Sequence, residues 1–268
     1  MQVSIIIPIY KSIPDWSELI SFNQTIKILF SHPICIITHK ELDISYYIEL
    51  LKQKEVTYTV EFFEKMYFQS LKGYNQLLLS KDFYSRFLFY EYILICQLDT
   101  YVFRDELTYW CNEGYDYIGA PWFNKFKSHE DGNELWKVGN GGFSLRKTNT
   151  FIEILNSNKN AYSMKRTYKI NKFKKGSFIK FVRMALSSYE NNISYLIQNW
   201  TDAEDIFFCL VLDDTRFKLV TPDVEVAKVF AFEQSPQFLF EQCNGILPFG
   251  CHAWSRYQYE IFWTQYIK

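Results

Sequence analysis

The stretch VSIII (residues 3–7) decides the fold, because it is a short, mostly β-branched apolar run that stops at Pro8. Such a run is typical of a strand buried on both faces of a parallel sheet. PICIITH (33–39) and YILICQL (92–98) repeat the pattern, and VTYTVEF (56–62) alternates like a strand. The sequence therefore predicts a central, mostly parallel sheet.

Apolar residues at helical spacing separate these strands. The predicted helices cover 16–31 with Asp15 as N-cap, 41–53, and 66–90 with a break near Lys81 and Asp82. The β-α-β-α order predicts an α/β sheet with right-handed crossovers. Ligands of such sheets bind beyond the carboxyl ends of the strands, here residues 8–11, 38–40 and 97–101.

The second half of the chain does not continue the alternation of strands and helices. VGNGGFSLR (138–146) predicts a loop running into a strand, and residues 148–158 predict a helix with Thr148 as its cap. AEDIFFCLVL (203–212) predicts a helix that starts at an acidic pair, and GILPFGCHAWSR (245–256) predicts a late loop. We expect a mixed sheet here, and since no linker rich in Pro, Gly or Ser divides the chain, one domain over 1–268.

Composition restricts the class of protein. A formal net charge of −1 indicates neither a nucleic-acid nor an acidic-polymer partner. The six cysteines show no CxxC spacing, so we expect neither a disulfide framework nor a structural zinc site. No leader and no apolar run near ~20 residues is visible, which predicts a cytoplasmic protein that can rest on a membrane.

Residues 159–183 form a basic insertion that contains no acidic residue and is interleaved with tyrosine and phenylalanine. Such a tract can contact anionic lipid at the inner face of a cell membrane, or it can be a solvated loop. The sequence leaves both alternatives open.

Two segments are candidates for ligand contact. Asp99 follows an apolar strand, where a carboxylate can reach a ligand from a rigid backbone, although a turn aspartate is the ordinary alternative. GNGGF (139–143) can take positive φ and approach a ligand closely, although a plain turn explains it equally well.

Two further segments are candidates for chemistry. Glu204 and Asp205 begin a helical run. The favourable interaction of negative charge with the N-terminal end of the helix dipole is a sufficient structural reason for acidic residues at this position. A carboxylate held there is also expected to stay ionised near neutral pH and act as a general base. His252, between Gly250 and Trp254, is either a ligand or a satisfied core histidine.

Taken in order, these segments resemble the GT-A glycosyltransferases, and most closely a bacterial glycosyltransferase-like group. The shared motifs are QLDTYVFRDEL, GYDYIGAPW, VGNGGFSLR, the acidic pair ED and FGCHAW. The resemblance runs over residues 1–255 and is weakest over 156–195. It implies a nucleotide-sugar-binding half (1–103) and an acceptor-binding half (104–268).

In that fold, an Asp-x-Asp signature binds a divalent cation that bridges the donor diphosphate. This chain departs from the signature, since Gln97 and Tyr101 stand two residues either side of Asp99. Either Asp99, His252 and phosphate oxygens complete the shell of Mn²⁺ or Mg²⁺, or metal dependence is weak.

The resemblance also implies roles for other residues. Asp205 would be the base of an inverting displacement, and Glu204 would bind an acceptor hydroxyl. Trp122 would offer a face to an acceptor sugar. The donor-binding candidates are Pro8, Tyr10, Thr38, Lys72, Asn75, Gln97, Gly141 and Gly142.

The expected function is transfer of a sugar from a nucleotide-diphosphate donor to a saccharide or lipid-linked saccharide, in bacterial surface polysaccharide synthesis. Two alternatives remain. One is a nucleotidyltransferase-like protein, although the glycine-rich basic loop usual after the first strand of that class is missing from IPIYKSIPDW (7–16). The other is a catalytically degenerate binding module at a membrane surface.

Overall fold

The computed structural model describes residues 2–124, 134–163, 166 and 188–268. The strands are β1 (Val3–Pro8), β2 (Ile34–Thr38), β3 (Tyr58–Phe62), β4 (Tyr92–Cys96), β5 (Thr100–Val102), β6 (Tyr117–Gly119), β7 (Pro121–Phe123), β8 (Leu135–Val138), β9 (Phe143–Lys147), β10 (Ala231–Phe232) and β11 (Gly250–His252). The helices are α1 (Trp16–Ile28), α2 (Ser45–Gln53), α3 (Leu71–Leu78), α4 (Lys81–Ser85), α5 (Leu107–Asn112), α6 (Thr148–Leu155), α7 (Ile193–Gln198), α8 (Glu204–Ile206), α9 (Val224–Phe230) and α10 (Pro236–Gln242).

The main sheet has six strands in the order β3-β2-β1-β4-β9-β6. β1 pairs in parallel with β2 and with β4, and β2 pairs in parallel with β3. β9 runs antiparallel to both β4 and β6. The predicted α/β fold, with a mostly parallel sheet and a mixed second half, is confirmed.

Strand β1 shows why this sheet is central. Its side chains alternate between two apolar layers, because successive strand residues point to opposite faces. Ile5 packs on the side of α1 and α2, with Phe22 and Tyr47, while Ile6 packs on the side of α3 and α4, with Phe83. Each isoleucine is 0% exposed, so each contributes roughly 1.5–3 kcal/mol of burial.

Helix α1 starts where the sequence predicts it. Asp15 accepts hydrogen bonds from the backbone N–H groups of Ser17 and Glu18, and Glu18 accepts one from Asp15 in return. This capping box fixes the turn after β1 and therefore one wall of the cleft described below.

The helical region predicted over 66–90 consists of three separate elements, and the break predicted near Lys81 is confirmed. A 3₁₀ turn covers Lys65–Phe68, and the break between α3 and α4 falls before Lys81, because Ser80 caps α4 by accepting a hydrogen bond from Phe83 N–H at 3.1 Å. Thr148 is not the cap of α6. It is the first helical residue, Lys147 is the N-cap, and no side chain caps that end.

Two other predictions in the second half need correction. The segment after Glu204 is not one α-helix, because α8 changes to a π-helix at Phe207–Val211 and a 3₁₀ turn at Leu212–Asp214. His252 lies on a strand rather than in a loop. It pairs with Thr100 in a second sheet of order β10-β11-β5, and this pairing brings the late segment to the end of β4.

Most of the basic insertion 159–183 lies outside the described residues, which include only 159–163 and Arg166 of it. In the described part of the chain, no helix combines the length and apolar character needed to cross a membrane.

Candidate active site

Two adjoining cavities open beyond the carboxyl ends of β1 and β4. The larger has a volume of about 450 Å³ and the smaller about 140 Å³. Leu71, Tyr74 and Gln97 line both, so the two cavities form one cleft. This is the edge at which parallel sheets bind ligands.

Pro8, the last residue of β1, and Tyr10, two residues further on, line the larger cavity. The Tyr10 hydroxyl donates a hydrogen bond to Glu18 Oε1 at 2.5 Å, and Lys11 Nζ lies 2.5 Å from Glu18 Oε2. Burial and the neighbouring Glu18 carboxylate raise the pKa of Tyr10, so its hydroxyl stays protonated at neutral pH. The Tyr10 ring is therefore held in place with about half of its surface exposed.

The larger cavity is acidic. Asp15, Glu18 and Asp99 line it, and no Lys, Arg or His is among the described residues of its wall. The nearby Lys11 is committed to Glu18 and Asp15, from which its Nζ lies 2.5 and 3.1 Å away. An anionic ligand such as a diphosphate would need an added cation to bind here.

Asp99 and His252 meet where the two cavities join. Asp99 Oδ1 lies 3.2 Å from His252 Nε2, and Gln97 Oε1 lies 3.3 Å from the same nitrogen. Burial would raise the pKa of Asp99, but the charge and hydrogen bond of His252 outweigh it and leave that pKa below its ordinary value. Burial would lower the pKa of His252, but Asp99 and Glu233 outweigh it and raise the pKa to about 10.

The other ring nitrogen of His252 donates to the Glu233 carboxylate, and the Asn140 amide nitrogen, itself a donor, lies close to it. Glu233 Oε1 lies 3.0 Å from His252 Nδ1, and Asn140 Nδ2 lies 3.1 Å from it. At neutral pH Nε2 carries a proton toward Asp99, because the pKa of His252 is raised to about 10, and a cation bound beside Asp99 would displace that proton while Glu233 stays behind Nδ1. A carboxylate behind a histidine in this way is the usual support of a metal-binding imidazole.

The donor set agrees with a divalent cation held by few protein ligands. Two ligands about 2.1 Å from one ion and at right angles to each other are about 3 Å apart, close to the separation of Asp99 Oδ1 and His252 Nε2. Among the described residues, no group of three or more His, Cys, Asp or Glu forms a metal cage. Asp99 and His252, with Gln97 as an additional oxygen donor, would leave the other positions to phosphate oxygens and water.

The GNGGF segment approaches the site as predicted, but for a different reason. Positive φ falls on Asn140, at 69°, and not on the flanking glycines. The glycines are needed because side chains press against them. A Cβ on Gly139 would lie 2.0 Å from the Trp122 ring, and one on Gly142 would lie 2.1 Å from His252 Nε2.

Asp205 lines the smaller cavity. Its Oδ2 accepts a hydrogen bond from Gly141 N–H at 2.9 Å, and its Oδ1 accepts one from Ile206 N–H at 2.8 Å. Burial, and next the charge of Glu204, raise the pKa of Asp205 to about 7. Burial outweighs the favourable backbone groups, so Asp205 is only partly ionised near neutral pH, whereas its position at a helix start alone favours the ionised form.

The sequence predicts that Glu204 contacts the acceptor, but in the structure its carboxylate contacts another side chain of the protein. Its carboxylate is 2.5 Å from Arg146 Nη2, and both side chains are almost completely buried. Arg146 also donates hydrogen bonds to the Tyr84 hydroxyl and to the Gly141 carbonyl. Glu204 is therefore paired with Arg146, and the positive charge of Arg146 offsets the negative charge that Glu204 brings to the cavity wall.

Most of the predicted site residues lie together. The larger cavity is lined by Pro8, Tyr10, Gln97 and Asp99, and the smaller by Asn75, Gln97, Trp122, Gly141, Gly142, Glu204, Asp205 and His252. Asn75 also accepts a hydrogen bond from Glu204 N–H at 3.4 Å.

Thr38 and Lys72 line neither cavity. Thr38 is 0% exposed at the end of β2, and its carbonyl accepts a backbone hydrogen bond from Phe63, directly after β3. Lys72 is exposed on α3, whose cleft-facing residues are Leu71, Tyr74 and Asn75. The structure does not bring these two predicted donor contacts to the cleft.

Sequence reasoning missed Arg146, Glu233 and Glu18. The signal for Arg146 is a charged residue inside the apolar strand β9. The signal for Glu233 is a carboxylate directly after the short strand β10, the same arrangement that singled out Asp99. No local signal distinguishes Glu18 from the acidic residues that commonly occupy the first turn of a helix.

Several solved structures similar to this chain are glycosyltransferases. Mouse xyloside xylosyltransferase 1, in its apo form, has a TM-score of 0.50 and 9% identity over 94% of this chain and 96% of its own. A glycosyltransferase involved in the glycosylation of the major capsid of PBCV-1 has a TM-score of 0.45 and 10% identity over 97% of each chain. Core-mannan synthase A from Aspergillus fumigatus, in its Mn/GDP form, has a TM-score of 0.43 and 9% identity over 76% of this chain and 68% of its own.

At such identities the likeness concerns the fold, which is that of the GT-A glycosyltransferases. No curated protein matches the sequence. A family match covers residues 57–252, which include Asp99, Asp205 and His252. The chain belongs to this family, DUF5672, described as proteins of unknown function.

Proposed function

We propose that this protein is a metal-dependent, inverting glycosyltransferase that uses a nucleoside-diphosphate sugar as donor. The observation that carries the proposal is the position of the Asp99–His252 pair where a 450 Å³ cavity joins a 140 Å³ cavity that contains Asp205. The larger cavity has room for a nucleotide, and the smaller is lined by groups that suit a sugar. The diphosphate between them would lie beside Asp99 and His252.

The acidic wall supports metal dependence. A diphosphate carries at least two negative charges, and the described wall of the larger cavity offers three carboxylates and no free cation. Asp99, His252 and Gln97 would hold Mn²⁺ or Mg²⁺ at this point. When bound, the ion supplies positive charge that offsets the charge growing on the leaving diphosphate.

The reaction proposed is a single in-line displacement at the anomeric carbon. The acceptor hydroxyl oxygen forms a bond to that carbon as the bond to the diphosphate oxygen breaks, and the hydroxyl proton passes to the Asp205 carboxylate. A base works best when its pKa lies near the working pH, which agrees with a pKa of about 7 for Asp205. Gly141 N–H keeps the receiving carboxylate in a fixed orientation.

Trp122 would offer its face to a sugar ring, since it lines the smaller cavity and is held against Gly139. The acceptor proposed is a saccharide or lipid-linked saccharide. Bacterial surface polysaccharide synthesis at the inner face of the cell membrane is the proposed setting, and it rests on the sequence resemblance alone.

The test is a titration of the purified protein with UDP-, GDP-, CMP- and dTDP-sugars, with and without Mn²⁺, followed by thermal stability. We expect one nucleotide to raise the melting temperature by a few degrees only when Mn²⁺ is present. Asp99→Ala should abolish that shift, and Glu49→Ala, which removes an exposed carboxylate of α2, should retain it. A shift that is independent of both Mn²⁺ and Asp99 would contradict the proposal.

A further inference from the structure

The smaller cavity has an unusual charge balance. Three carboxylates line it, from Glu204, Asp205 and Glu233, and within the described part of the chain neither Lys nor Arg does. Arg146 lies behind the wall and is committed to Glu204 at 2.5 Å. Asp205 and Glu233 therefore remain as the acidic groups that face a ligand.

The uncharged groups of the same cavity suit hydroxyl groups. Asn75, Gln97 and Asn140 provide side-chain amides, which both donate and accept hydrogen bonds. Trp122 and Tyr74 provide ring surface. Sugar hydroxyls can donate to the two carboxylates and accept from the amides, so the wall suits an uncharged sugar.

We propose that the transferred sugar is uncharged, and that the cavity selects it against uronic acids. This inference rests on the proposed function, because it concerns the sugar of the nucleotide donor. A carboxylate on the sugar would enter a cavity that holds Asp205 and Glu233, whose described wall has no Lys or Arg and whose His252 already lies against both Asp99 and Glu233. Like charges a few ångströms apart repel each other, and no uncommitted cationic side chain of the described wall offsets that repulsion.

The Glu233 carboxylate is the principal discriminating charge. It lies in the cavity wall with its side chain 14% exposed, and its 3.0 Å contact with His252 Nδ1 fixes its position. Asp205 adds to the discrimination whenever it is unprotonated. Because Glu233 also supports His252, its removal affects every donor, and only the comparison of two donors isolates the effect of its charge.

The experiment uses donor pairs that share a nucleotide and differ only in a C6 carboxylate. These are UDP-glucose with UDP-glucuronate, UDP-galactose with UDP-galacturonate, and GDP-mannose with GDP-mannuronate. Affinities are measured by calorimetry on the full chain in the presence of Mn²⁺. We expect the neutral member of the best-bound pair to bind at least about tenfold more tightly, as like charges a few ångströms apart in a protein require.

The outcomes separate this inference from the proposed function. Equal or tighter binding of the uronate overturns the inference and leaves the glycosyltransferase proposal standing. Absence of binding by both members of every pair overturns the proposed function and the inference with it.

A substitution tests the role of Glu233 in this discrimination. Glu233→Gln should lower the ratio of neutral to uronate affinity by roughly threefold or more, even though both affinities fall through His252. Glu49→Gln, which removes a carboxylate outside the cleft, should leave the ratio unchanged. Asp205→Asn gives a second reading of the same ratio if Glu233→Gln does not fold. An unchanged ratio in the variants that fold overturns the assignment.

Discussion

Gly141 donates its backbone N–H to Asp205 Oδ2 at 2.9 Å, and the Cα of the same glycine lies against the carboxylate of Glu204. A Cβ at this position would stand 2.5 Å from Glu204 Oε1. The glycine segment thus serves as a backbone clamp on the acidic pair.

Substitution of Gly141 by alanine should therefore lower kcat more than it changes donor affinity. The new Cβ displaces Glu204 and with it the hydrogen bond to Asp205, and a displacement of about 1 Å at a reacting group can lower the rate by roughly 100-fold. Steady-state kinetics with the best donor measures the effect. Gly114→Ala is the control, because Gly114 has φ of 78° and no atom within 4 Å of its Cβ position. It should lose about 1 kcal/mol of stability and keep kcat, whereas equal kcat losses in the two variants would contradict the clamp.

The rate should depend on pH through Asp205. Below a pKa of about 7 this carboxyl is protonated and cannot accept the hydroxyl proton, so kcat/KM should rise with pH through about 7 and then level off. Asp205→Asn should lower kcat by roughly 100-fold or more and remove that limb of the profile. A wild-type profile that is flat between pH 5 and 9 argues against Asp205 as the base.

The buried Arg146–Glu204 pair should behave as a unit. Arg146→Met leaves a buried carboxylate without its partner and should lower the free energy of unfolding by about 3–5 kcal/mol. The double variant Arg146→Met, Glu204→Gln should lose less than the sum of the two single variants. Urea unfolding measures both quantities.

The matched control for this pair is Arg86→Met. Arg86 pairs with Glu61 and Asp82 at 3.1 Å, but these groups lie at the surface, where such pairs contribute about 0–1 kcal/mol. Similar losses in Arg146→Met and Arg86→Met would show that burial of the Arg146 pair has no special effect.

Glu233 should act on metal binding through His252. Its carboxylate lies 3.0 Å from His252 Nδ1, and removal of such a support typically weakens metal binding about 10- to 100-fold. Calorimetric titration of Mn²⁺ into Glu233→Ala, in the presence of nucleoside diphosphate, should show this loss without reference to catalysis. Unchanged Mn²⁺ affinity would mean that Glu233 does not orient His252.

The local sequence was sufficient to predict the elements that carry a strong pattern. β1, β2 and β4 follow from apolar runs that match a two-sided strand, and α1 follows from Asp15 and the helical spacing behind it. The order of these elements predicted the sheet edge at which Asp99 lies. These features depend on neighbours within a few residues along the chain.

The remaining features depend on pairings between distant residues. His252 reaches Asp99 only because β11 pairs with β5, and no local pattern marks that register. The pKa of Asp205 follows from burial against Glu204 rather than from its helix position. Thr38 occupies the correct end of a strand, but it is completely buried there, and the strand pattern contains no information on that burial.

The proposed role of Asp99 and His252 is to hold the cation that carries the donor diphosphate. This role is tested by calorimetric titration of the preferred nucleoside diphosphate into the wild type, Asp99→Asn and His252→Ala, with and without Mn²⁺. We expect the wild type to bind only with Mn²⁺, and the affinity of both variants to be at least about 100-fold weaker, as expected when one of two protein ligands is lost. Equal affinity with and without Mn²⁺, or unchanged affinity in the two variants, would contradict it.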